Sequence, residues 1–175
     1  MRQEGQSLVE FALSSVVLLL LVGGLVDIGR AAYIGEALSN AAREGARHGI
    51  WFDAPNRSHP YLNGTEIKTV VDAELATVSI PPSVLKNSGG SCPTPSDGNA
   101  YYNPPYANSS YPTTANQAWL YICYGNSNGT PLTSASQKDL NVIVLYSYGP
   151  LTPLITAQFG IFRLAANTHM TAQGS

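Results

Sequence analysis

Beyond residue 100 the chain has almost no charge: Lys138, Asp139 and Arg163 are its only ionised side chains there, set among Tyr, Asn, Ser, Thr, Pro and Gly. A polar but nearly uncharged surface suits an exported protein better than a cytosolic one. Basic clusters are missing too. Nine Lys and Arg against eleven Asp and Glu, scattered to a net charge of −2, leave no electrostatic footprint for nucleic acid. Cysteine is scarce, and the even pair Cys92 and Cys123 either closes one disulfide outside the cell or stays as two buried thiols. His48, His59 and His169 have no companions at metal-ligand spacing, which predicts no metal site. Residues 5–9, GQSLV, fail the nucleophile-elbow pattern, no glycine loop ends in Lys-Ser or Lys-Thr, and neither cysteine has a convincing His partner. The expectation is a protein that is not an enzyme, with no cofactor and no small-molecule substrate.

What the chain does have is one long apolar run. From residue 8 to 26 the single charged side chain is Glu10, and those roughly 19 residues approach the ~20 needed to cross a ~30 Å hydrocarbon core. A cleaved secretory signal would have a basic start and a small-residue exit, which this segment lacks. Past the run, Ala31, Ile34, Leu38, Ala41, Ala42 and Gly45 continue an apolar stripe at helical spacing, with Glu36, Asn40, Arg43, Glu44 and Arg47 opposite. One continuous helix over about 7–49 is predicted. Its first half sits in a greasy environment and its small-residue second half underlies a head. Asp27 and Arg30, three apart on one face, are placed either to pair with each other or to serve a subunit contact.

Glu10 is the anomaly, because a lone carboxylate in a membrane helix costs several kcal/mol unless it is paired or near the interface. A cut between Gly5 and Gln6 would remove a five-residue polar leader and create an α-amino group, with Glu10 at the fifth mature position. Gly5, Gln6, Glu10 and Phe11 in that arrangement resemble the type IV prepilin class. Three linked motifs narrow the resemblance to the TadE-like pilins of tight-adherence (Tad) systems: GQSLVEFAL at 5–13, DIGR at 27–30 and AAREGAR at 41–47. The stretch VIVLYSYGPLTPL at 142–154 is similar to a late strand and turn of the same family. The resemblance implies cleavage after Gly5 by a prepilin peptidase. It also implies pairing of Glu10 with a neighbouring subunit's N-terminal amine as an assembly platform packs pilins into a filament.

For the head, residues 65–76 are predicted helical, with Thr65 as N-cap and Ile67, Val70, Val71 and Leu75 at helical spacing. Residues 78–80 are expected to begin a strand stopped by Pro81-Pro82. The Ser, Gly, Pro, Asn and Tyr-rich stretch 87–117 has no period and reads as a long loop, which a Cys92–Cys123 bridge would staple. Its tyrosines, Tyr101, Tyr102, Tyr106 and Tyr111, either pack within the loop or offer contacts to sugars or proteins. Strands are expected at 118–124, at 139–148 (buried on both faces) and at 163–171 (half-buried), with a helical turn or two inside 150–159. Asn56, Asn63, Asn108 and Asn128 begin sequons that a chain so rich in Asn, Ser and Thr partly produces by chance.

The sequence therefore reads as α+β: a leader at 1–5, a pilin helix at 6–49 with 8–26 in the membrane, and a head at 50–175 whose small antiparallel sheet packs on that helix. The expected role is a structural pilin or minor pilin, stored in the inner membrane and then displayed in an extracellular filament for surface attachment. Its expected partners are the membrane, other pilins, the peptidase and the assembly platform. The alternative is a single-pass envelope protein whose head binds a partner without polymerising.

Overall fold

The computed structural model describes residues 3–51, 63–87, 91–98, 103–124 and 138–172. Pro55, Asn56, His59, Pro60, Tyr101, Tyr102 and Asn128 lie outside them. Helix α1 (Gln3–Ile50) is 48 residues long, about 72 Å at 1.5 Å per residue. It runs unbroken through Gly23-Gly24 and begins four residues earlier than the pattern predicts, so Gly5 and Gln6 are helical.

Helix α2 (Gly64–Ala76) starts one residue before Thr65, and the cap is Asn63 instead. The Asn63 Oδ1 accepts from the Glu66 N–H at 3.3 Å while its Nδ2 donates to the Glu66 carboxylate at 2.7 Å, a reciprocal capping arrangement. Residues 77–79 form a turn that closes α2 rather than a strand. Their amides bond back to the carbonyls of residues 74–76, Ser79 takes the left-handed conformation (φ 59°), and Ile80 drops into the core. Strand β1 (Val84–Asn87) begins only beyond the proline pair.

Strands β2 (Gln117–Tyr124), β3 (Lys138–Tyr148) and β4 (Phe162–Ala172) follow, with helix α3 (Pro153–Phe159) between the last two. The sheet order is β1-β2-β3-β4. The register runs from Gln117↔Ser147 to Tyr124↔Leu140, and from Lys138↔Ala172 to Tyr148↔Phe162, both antiparallel. Strand β1 pairs parallel to β2, so the sheet is mixed, a correction to the antiparallel expectation. The long connection from β1 to β2 carries the chain back to the opposite end of the sheet, beside the start of β1, which a hairpin cannot do.

Strand β3 divides the core by parity. Leu140, Val142, Val144, Tyr146 and Tyr148 meet Ile34, Leu38, Ala41, Ala42 and Ala46 of α1 and Ile67, Val71 and Leu75 of α2. Ile143 and Leu145 point the other way, onto Tyr121, Cys123, Tyr106 and Tyr111. The helices thus cover one face of the sheet and the long loop covers the other. A disulfide between Cys92 and Cys123 holds that loop down. Tyr106 and Tyr111 are buried, so these two loop tyrosines pack inward.

Candidate functional site

Residues 5–22 of α1 are exposed on every side apart from the half-buried Ser15. Leu8, Phe11, Leu18 and Leu21 each keep more than 60 % of their surface. Among the described residues this is the one helix long and apolar enough to cross a membrane. Its backbone groups are satisfied within the helix, as a hydrocarbon environment requires. Glu10 stands exposed on this half, and no described residue bonds or pairs with it. Nothing lies within 4 Å of where a Gly5 side chain would stand.

The head takes hold of α1 just past the apolar run. Asp27 is only 4 % exposed and its carboxylate collects donors from a segment more than 120 positions away. The Leu151 N–H donates to Oδ1 at 2.7 Å, the Thr152 N–H to Oδ2 at 3.0 Å, and the Tyr148 hydroxyl to Oδ1 at 3.2 Å. The same hydroxyl lies 3.1 Å from the Asp27 carbonyl. Burial pushes the Asp27 carboxyl upward, but these hydrogen bonds together outweigh it and hold the group below the ordinary carboxylate range. Gly23 makes the approach possible, since a Cβ there would stand 3.0 Å from the Thr152 hydroxyl.

Two of the motifs read separately in the sequence, DIGR at 27–30 and the Pro-Leu-Thr-Pro turn after β3, are therefore two sides of one joint. Among the described residues no salt bridge links Asp27 to Arg30. The Arg30 guanidinium lies over the Tyr148 ring, 5.3 Å from its centroid, with a buried Nη1 that has no hydrogen-bond partner.

Further along, the AAREGAR segment seats the head. Ala41, Ala42 and Ala46 are fully buried, and a Cβ on Gly45 would stand 2.5 Å from the Val71 side chain, so the α1 backbone lies directly against the side chains of α2. Arg47 and Glu44 pair on the outer face.

Sequence reasoning missed three polar anchors of the head. Asn87 bridges to the backbone of Ile122, accepting its N–H at 2.8 Å and donating to its carbonyl at 3.1 Å. Asn116, at φ 58°, accepts from the Gly149 N–H and the Tyr146 hydroxyl, both at 3.2 Å. Asp72 accepts from the N–H and hydroxyl of Ser83. All three bond across large sequence separations, and only the left-handed preference of Asn hints at one of them. Asn63 and Asn108 are the sequon residues within the described chain, and Asn63 is engaged as the α2 cap. His169 lies 3.6 Å from Asp139. No group of three or more His, Cys, Asp or Glu side chains gathers among the described residues.

No curated protein and no solved structure matches the chain. Residues 5–47 match the TadE-like protein family, so the stretch from Gly5 and Gln6 through the Asp27 joint to the small-residue stripe is similar to that family.

Proposed function

We propose that the chain is a pilin or minor pilin of a Tad-type filament, anchored by residues 8–26 in the inner membrane and then packed helix against helix at the cell surface. The observation that carries this reading is the uncovered apolar half of α1 with Glu10 exposed upon it. Among the described residues nothing covers 5–22 apart from the half-buried Ser15, and their partner in this reading is lipid or other helices. In this reading a prepilin peptidase cuts between Gly5 and Gln6. The first turn must unwind to enter a protease site, and Gly5 lowers the cost of that opening because it tolerates conformations a Cβ resists. Glu10 then pairs with the new amine of a neighbour beside Phe11, while Asp27 and Arg30 act from within the subunit by fixing the head on its helix. A head of about 125 residues is large for a main filament subunit by family analogy, which favours a minor role.

Intact-mass analysis of the mature protein is expected to show a start at Gln6. A chain that still begins at Met1 would support a permanently anchored protein instead. Glu10→Ala is expected to insert into the membrane but to be largely missing from sheared surface material. Removing one partner of a buried ion pair typically costs about 3 to 5 kcal/mol by stranding the other, and wild-type incorporation would refute the pairing.

A further inference from the structure

The head carries its own apolar tip beside the membrane end of α1. Residues 149–162 hold no ionisable side chain, and their polar side chains are Thr152, Thr156 and Gln158. Leu151, Leu154 and Phe159 are exposed by 63 %, 62 % and 68 %, with Ile161 and Phe162 also partly open. Among the described residues nothing covers them. Their position is fixed by contact: Thr152 abuts Gly23 and Ile155 abuts Gly24, both inside the 8–26 run. Gly23 lies three residues short of the end of that run, about 5 Å along the helix at 1.5 Å per residue. The tip is therefore held level with the last turn of the span, at the depth of about 5 to 10 Å that interfacial apolar faces reach.

Its backbone is prepared for that environment. A loop entering lipid must hide its polar groups. Pro150 and Pro153 have no N–H, and those of Leu151 and Thr152 are taken by Asp27. The N–H groups of Ile155 and Thr156 bond to the Thr152 carbonyl and that of Gly160 to the Thr156 carbonyl. The Thr156 hydroxyl closes on the Pro150 and Thr152 carbonyls. Apart from the Asp27 carboxylate, which the tip's own amides enclose, the flanking charges are Arg163 on β4 and Arg30 on α1, where phosphate groups would lie. A groove of about 520 Å³ between α1 and the start of β4, lined largely by Gly24, Ile28, Ala31, Ile155, Phe159 and Phe162, opens beside the tip.

We propose that residues 151–161 are a second membrane contact, dipping into the acyl-chain boundary next to α1 and seating the stored head on the bilayer. This rests on the reading of 8–26 as the membrane span. The test uses the full chain in phosphatidylcholine vesicles at high lipid excess, doped with a lipid bearing a photoactivatable diazirine on its acyl chain, with adducts mapped by mass spectrometry. Adducts are expected on both 8–26 and 151–161. The double variant Leu154→Asn, Phe159→Asn, changed only at exposed positions, is expected to lose most adducts at 151–161 and keep those at 8–26. Labelling of 8–26 with an unlabelled tip would overturn this inference and leave the span standing, with the tip free for a second copy. Undiminished tip labelling in the double variant would also overturn it, and absence of label from both segments would remove the span and the inference together.

Discussion

At the scale of single residues the molecule turns on Asp27. Each of its oxygens accepts a different backbone N–H, Oδ1 from Leu151 and Oδ2 from Thr152. An amide offers one acceptor and turns an NH2 toward the other donor, so Asp27→Asn is expected to lower the unfolding midpoint in detergent and to open 149–153 to proteolysis. Tyr148→Phe keeps the ring under Arg30 and loses one hydroxyl donor to a carboxylate, so it should cost about 1.5 to 3 kcal/mol. Because the folded carboxyl titrates below its unfolded value, its stabilisation is full above about pH 3.9. It fades as pH falls through the folded value, and melts recorded against pH should show that acid window in wild type but not in Asp27→Asn. The sequence marked Asp27 and Arg30 as a pair of interest through their spacing, yet could not see that two amides more than 120 positions away would claim the carboxylate. Helical spacing shows which side chains are neighbours on one helix and is silent about what the rest of the chain brings to them.

At the scale of elements the same division recurs. Both parities of 142–146 are apolar, which announces a strand covered on both faces, and the stripe at 31–45 announces one cover. The second cover was unreadable because 87–117 has no period: its packing rests on isolated tyrosines and a bridge. Strand β1 was equally hidden, since four residues after two prolines carry too little pattern to outweigh the β-branched Val78 and Ile80, which end up in a turn and just past it. If the loop is the lid of the second face, Cys92→Ala with Cys123→Ala should destabilise the head by roughly 3 to 4 kcal/mol, the chain-entropy value for a loop of this size. Hydrogen exchange should rise across 93–117 while β2 and β3 stay protected beneath α1 and α2. Unchanged exchange in the loop would show that the bridge restrains nothing.

At the scale of the whole molecule, the two layers over the sheet share one dependence on pH. Burial pushes the phenols of Tyr106, Tyr111, Tyr121, Tyr146 and Tyr148 upward. A group whose folded value is raised contributes stability that is complete below its unfolded value, about 10 for tyrosine, and is lost as pH rises through the folded one. Alkaline titration followed at 295 nm is therefore expected to show these tyrosines ionising together with the loss of near-ultraviolet circular dichroism. Smooth ionisation near pH 10 with the fold intact would contradict the packing. The overall plan of a bare helix half, a seated half and an α+β head was legible because hydropathy and periodicity change at residue 27. The mixed sheet order was not, because strand direction follows from where a patternless connection returns.

The head grips α1 along one continuous face, from the Asp27 joint through Ala31, Ile34 and Leu38 to the alanine seat that ends near Gly49, about 33 Å of a stiff rod at 1.5 Å per residue. A rod clamped over one half and bare over the other is a cantilever. A tug along the axis of residues 5–22 spreads as shear over the whole clamped length, whereas sideways bending concentrates force at its near edge, where Asp27 takes the hydrogen bonds of Leu151, Thr152 and Tyr148. The head would then peel from the Asp27 end while remaining clamped at the alanine end, a hinge that yields to bending long before it yields to tension.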